Sequence, residues 1–326
     1  VRITVPTGWT APQTTGNTTA GYTTASTGTP SASGQVITVT GVTLAGSATM
    51  TIVYGDTATN GTAGVTASAT TGAHAFTTAT RSVLTTVFAN IGASPSITVY
   101  DADGSGTNTV SPTTAAASST RNQYTFTYTA GTTGMNSGAV RITVPTGWTA
   151  PQTTGNTTAG YTTSSGGGGT VSASGQVITV TGVTLAATAT LTVVYGDTTT
   201  NGTAGVTASA TTGAHAFTTA QRSLTASTFT SIAASPSITV YDANGSGTNT
   251  VAPTTAAAGD DRNQYTFTYT AGAAGMNNGA VRLTVPAGWT APQTTVNTTA
   301  GYTTSSGGGG TVSASGQVIT VTGVAR

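Results

Sequence analysis

Between residues 124 and 144, apolar and polar side chains alternate with a period of two. Tyr124, Phe126 and Tyr128 are separated by Thr125 and Thr127, and Val140, Ile142 and Val144 by Arg141 and Thr143. Such a period puts successive side chains on opposite faces of an extended strand. The second run stops at Pro145, and a further pair of runs, 177–181 and 189–195, closes at the turn dipeptide Gly196-Asp197. Ile97 and Val99 alternate with polar neighbours ahead of an Asp103-Gly104 turn, while 205–210, 214–218 and 228–232 carry weaker patterns. Eight or nine short antiparallel strands in about 141 residues predict an all-β protein, a β-sandwich with one buried face per sheet. The inward set is Tyr124, Phe126, Tyr128, Val140, Ile142, Trp148, Ile178, Val180, Leu191 and Val193.

The same pattern recurs along the chain. Residues 1–24 read VRITVPTGWTAPQTTGNTTAGYTT, residues 140–163 are the same string, and residues 281–304 read VRLTVPAGWTAPQTTVNTTAGYTT. The first offset is 139 because the loop 25–30 is two residues shorter than 164–171; beyond it Tyr54 matches Tyr195, His74 matches His215 and Pro95 matches Pro236 at 141. Gly92-Ala93-Ser94-Pro95 and Ala233-Ala234-Ser235-Pro236 are small-residue stretches ending in Pro, which does not fit a central strand. They set the expected boundaries: a partial copy 1–94, a complete copy 95–235 and a partial copy 236–326, a window on a longer tandem array. No period of 20 to 30 residues is present, which argues against a solenoid.

Composition narrows the function classes. Thr accounts for 85 of 326 residues, and its β-branch favours strands. Charged residues are 5% of the chain, eight Arg and seven Asp with no Lys, Glu or Cys, for a net charge of +1. That balance lacks the basic footprint of a nucleic-acid binder. Apolar residues at 36%, placed periodically, separate the chain from disordered polar sequences. No apolar run approaches the roughly 18 residues of a membrane-spanning helix, and the N-terminal residues do not have the pattern of a signal peptide. The absence of Cys suits an exported protein that does without disulfides.

The stretches TVSPTTAAA, NQYTFTYTAG, GAVRITVPTGWTAP and GQVITVTGVTLAATATLTVVYGD resemble the tandem immunoglobulin-like repeats of large bacterial cell-surface and extracellular fibre proteins. The resemblance spans nearly the whole chain and lies in strands and turns. It implies Ig-like sandwiches in an extended stalk, fibre or filament, located extracellularly or at the cell surface, and it carries no functional residues over to this sequence.

Each chemical candidate has a plain structural counterpart. His74 and His215 occupy one repeat position in a unit without Cys, Lys or Glu, so a strand or loop role is expected and no catalytic residue is assigned. Asp101, Asp103, Asp242 and Asn244 lie in Asp-Ala-Asp/Asn-Gly-Ser-Gly, which resembles the opening of a calcium loop, but no Glu exists to close one and Asp-Gly is also a turn dipeptide. No cofactor is expected, with calcium a weak candidate. Residues 164–169, SSGGGG, lack the Lys and helix of a phosphate loop and read as a flexible hairpin loop. Trp9, Trp148 and Trp289 share one position and are expected at the edge of the core. Asn17, Asn60, Asn156, Asn201, Asn244 and Asn297 open N-x-Ser/Thr sequons, candidates for glycosylation. The expectation is a non-enzymatic structural protein, a segment of an extracellular fibre whose partners are further copies of itself in a linear or helical assembly, with glycans as further candidates. The alternative is an adhesin segment binding glycans or another surface through Trp or calcium loops.

Overall fold

The computed structural model describes residues 1–325, which form strands and turns and, among the described residues, no helix. The chain divides into two compact units, one built on Val1–Ala102 with Gly131–Met135 and Ala186–Thr188, the other on the remaining residues.

The first copy holds β1 (Arg2–Thr4), β2 (Thr23–Ala25), β3 (Thr29–Ser33), β4 (Val36–Thr40), β5 (Ile52–Tyr54), β6 (Gly72–Ala75), β7 (Thr77–Thr80), β8 (Ala89–Asn90) and β9 (Ser96–Val99). The middle copy holds β10 (Thr107–Ser111), β11 (Thr114–Ala116), β12 (Tyr124–Thr129), β13 (Met135–Thr143), β14 (Thr162–Ser165), β15 (Thr170–Ser174), β16 (Val177–Leu185), β17 (Thr190–Tyr195), β18 (Gly213–Ala216), β19 (Thr218–Arg222), β20 (Thr230–Ser231) and β21 (Ser237–Tyr241). The last copy holds β22 (Thr248–Ala252), β23 (Thr266–Thr270), β24 (Gly279–Thr284), β25 (Thr311–Ser315) and β26 (Val318–Val324). Val36, Val177 and Val318 open equivalent strands, so the repeat in the sequence reappears in the strand order.

In the middle copy, one sheet runs β10-β12-β17-β14 and a second runs β15-β16-β13-β19-β20. Antiparallel register sets Tyr124 opposite Tyr195, Phe126 opposite Val193 and Tyr128 opposite Leu191, which aligns the apolar positions of both strands on one face. On the other sheet Val140 faces Gln221 and Ile142 faces Thr219. All ten side chains expected inward are buried, with Trp148 the most exposed at 4%. Two buried amides donate to hydroxyls: Asn108 Nδ2 on β10 to Thr219 Oγ1 on β19 at 2.9 Å, and Gln221 Nε2 to Ser223 Oγ at 2.9 Å.

The boundaries expected at 94/95 and 235/236 do not end the strand pairing. After Pro236, β21 pairs antiparallel with β18 and parallel with β11, forming the three-stranded sheet β11-β21-β18. In the first copy β9 likewise pairs back with β6. The middle copy therefore uses twelve strands with one parallel pair, where eight or nine antiparallel ones were expected, and 205–210 contributes only an isolated bridge from Val206 to Asn122.

The glycine-rich stretch 164–169 is also different from its expectation. β14 pairs with β17 and β15 with β16, so these residues cross from one sheet to the other rather than closing a hairpin. Gly166 and Gly167 have φ of +88° and +64°, and a Cβ on Gly166 would stand 2.6 Å from the Thr190 carbonyl oxygen. The crossover is packed at Gly166 and Gly167, where a side chain would clash. Gly166→Ala is expected to destabilise the protein by about 1–3 kcal/mol through strain and clash combined. Gly168→Ala, with φ of +67° and open space around its Cβ, keeps only the conformational cost. Denaturant unfolding of the two variants should rank them in that order.

Candidate functional site

The loop 101–106 joins β9 to β10, and its carboxylates are committed to backbone donors. Asp101 Oδ2 accepts from Thr133 N at 2.7 Å and Gly134 N at 3.1 Å, and its Oδ1 accepts from Thr132 Oγ1 at 3.1 Å. Asp103 Oδ1 accepts from Ser223 N at 2.7 Å, while Gly104 N donates to Gln221 Oε1 at 2.8 Å. In the last copy Asp242 Oδ2 accepts from Ala274 N at 3.0 Å, and Asn244 stands exposed on its turn. A calcium site gathers six to eight oxygens, whereas among the described residues no three carboxylates or imidazoles come together. Asp101 and Asp103 clamp their turns through these hydrogen bonds. Chelator is accordingly expected to leave the thermal midpoint unchanged, since only a ligand bound to the folded state shifts it.

Each histidine packs against a tryptophan. His215 Nε2 donates to the Thr211 carbonyl at 2.8 Å, and its ring meets Trp148 edge-on at 5.8 Å. Trp148 also meets Tyr124 at 5.4 Å and Phe217 at 5.2 Å, both edge-to-face. His74, Trp9 and Phe76 repeat this cluster in the first copy. Burial pushes the phenol pKa of Tyr195 and of Tyr124 well above the ordinary value. The Tyr195 hydroxyl donates to the Thr149 carbonyl and so ties β17 to the turn that carries Trp148. Trp289 is 48% exposed and meets Tyr265 edge-on at 5.4 Å.

The sequon asparagines all lie outside strands and are exposed. Three of them sit on a loop organised by one glutamine per copy. Gln152 Nε2 donates to the carbonyls of Gly155 at 2.7 Å and Thr158 at 3.1 Å, and its Oε1 accepts from Thr154 N and Gly155 N. Gln13 and Gln293 make the same four contacts around Asn17 and Asn297.

Asp56 and Asp197 are buried carboxylates that turn chemistry alone did not single out. Asp197 Oδ1 accepts from Thr199 N at 3.0 Å and Thr200 N at 2.8 Å, and Oδ2 accepts from Thr163 Oγ1 at 2.9 Å. Burial pushes its carboxyl pKa up, but the Thr200 N–H and the Thr163 hydroxyl outweigh that and hold it below the usual carboxylate value. For Asp56 the Thr59 N–H leads, with the Thr24 hydroxyl next, and the direction is the same. A folded pKa below the unfolded one adds stability above the unfolded value, which is lost as pH falls through the folded value. Stability should therefore drop on acidification below about pH 4, and Asp197→Asn should flatten that drop. Denaturation midpoints measured across pH 2 to 7, a span of about 5 units bracketing the carboxyl range, test both expectations.

No protein-family model matches the chain, and no curated protein matches it. Its chemistry therefore rests on its own geometry: aromatic cores, clamped turns, exposed hydroxyl-rich strands, and arginines on the outer face of a sheet.

Proposed function

We propose that the chain is a segment of an extended extracellular fibre or cell-surface stalk, built from tandem Ig-like β-sandwiches of about 141 residues. The observation that carries this reading is β21. It follows the Pro236 linker, where the next repeat was expected to start, yet it is hydrogen-bonded between β11 and β18 of the middle copy. Pairing on both sides of β21 ties the chain beyond the linker to the sheet by backbone hydrogen bonds, which suits a stiff tandem array. Edge strands in a chain without Lys lack the usual charged guard, so strand addition between copies is the natural route to a linear or helical assembly. In this reading the role is mechanical, the location is outside the cell, and the chain performs no catalysis.

Electron microscopy of the source cells with antibody against the purified 326-residue protein tests the proposal. Label running along surface filaments is the expected result. Label confined to the cell interior, or to discrete particles without filaments, overturns it.

A further inference from the structure

Arg141 and Arg222 lie on the outer face of the second sheet of the middle copy. Arg141 sits between the buried Val140 and Ile142, and Arg222 between the buried Gln221 and Ser223, so strand alternation sends both to the opposite face. The register pairs Ala139 with Arg222 and Arg141 with Ala220, which makes the two arginines diagonal neighbours on adjacent strands. Phe229 lies against both, with the guanidinium carbons 3.8 Å and 5.1 Å from its ring centre. The two charges therefore stand no more than about 9 Å apart.

Neither charge is neutralised. The polar contact of the pair is Arg222 Nη1 donating to the Ser227 carbonyl at 3.4 Å, and among the described residues no carboxylate reaches either guanidinium. The Nε groups of both are buried without a hydrogen-bond partner. The first copy repeats the arrangement: Arg2 and Arg81 stand 4.3 Å and 4.7 Å from the centre of the Phe88 ring. There the residues line a surface depression of about 530 Å³ with Thr38, Thr86 and Val87. A protein with eight cations in all places four of them in two matched, unpaired couples.

We propose that Arg141, Arg222 and Phe229, and equally Arg2, Arg81 and Phe88, form repeated binding sites for an acidic, carboxylate-bearing polysaccharide. The planar fork of a guanidinium matches a carboxylate through two parallel hydrogen bonds, and stacking on Phe fixes its plane in advance. Neighbouring threonine hydroxyls offer donors and acceptors to sugar hydroxyls. Two cations per repeat are too sparse for nucleic acid, which carries a charge about every 1.7 Å. One site per repeat instead suits a long polyuronate held at intervals, where linked weak contacts gain from each other. The assignment stands apart from the fibre reading, because a chain that never assembles still carries both sites.

The test is calorimetric titration of the 326-residue protein with alginate at low ionic strength, with dextran and duplex DNA as comparisons. Alginate should bind, dextran should not, and DNA should bind more weakly. The variant R2Q/R81Q/R141Q/R222Q should bind alginate at least about tenfold more weakly. A second measurement keeps the wild-type protein intact: alginate should slow phenylglyoxal modification of Arg141 and Arg222, read by mass spectrometry, and leave the exposed Arg121 unprotected. No alginate binding, dextran or DNA binding as tightly as alginate, unchanged affinity in the variant, or equal protection of Arg121 would each overturn the proposal.

Discussion

Trp148→Ala is expected to destabilise the middle copy by about 3–5 kcal/mol, the range for deleting a large buried ring. The side chain is 4% exposed and touches Tyr124, His215 and Phe217 edge-on, so its removal leaves a cavity walled by three rings. Gln176 strengthens the effect by holding the turn in place: its Nε2 donates to the carbonyls of Pro145 at 3.2 Å and Trp148 at 3.1 Å. Trp289→Ala removes the same residue from the same local sequence, but that ring is 48% exposed. Its loss should cost less than about 1 kcal/mol, as for a surface site. Urea unfolding of the two variants separates them, with a clear fall in midpoint for the first and little change for the second.

Ile238→Ala should cost about 2–5 kcal/mol, and Ile97→Ala less than about 1 kcal/mol, although both stand in Ser-Ile-Thr-Val. Ile238 is fully buried on β21, which has a strand on each side. Ile97 is 49% exposed on β9, which pairs with β6 alone. Among the described residues β9 pairs with β6, and β21 has the parallel partner β11. Unfolding midpoints of the two variants read that partner's contribution directly.

Period-two alternation was enough to find the apolar core of the middle copy, because strands such as 124–129 bury one face fully and leave Thr on the other. The position of Trp148 was legible too. Proline marked the expected boundary at 235/236, and that β21 just beyond it pairs back with β11 and β18 was not legible in the sequence. Pro236 lacks an N–H, yet its carbonyl accepts from Phe217 N at 2.8 Å, and a proline just ahead of a strand's first residue leaves the ladder intact. The glycine run 166–169 looked mobile by composition, but composition does not report the Thr190 carbonyl and Val183 that press on it. Gln221 broke the apolar alternation of β19, and its role appeared only when Gly104 and Ser223 were seen to satisfy it. Asp197 carried a readable signal, an Asp followed two and three positions later by residues whose N–H groups fold back on it, as turn-forming aspartates do. The arginine pairs were invisible along the chain because Arg141 and Arg222 meet only through strand register.

The claim at the centre of this account is that β21, beyond the Pro236 linker, is a hydrogen-bonded member of the sheet β11-β21-β18. Amide hydrogen exchange on the 326-residue protein tests it most directly. Thr239 N donates to the Thr113 carbonyl at 2.9 Å, and Ala117 N donates to the Tyr241 carbonyl at 2.9 Å. The account predicts that the amides of Thr239 and Ala117 exchange as slowly as those of β18. Exchange at Thr239 as fast as at the linker residues Ala233 and Ala234 would contradict it.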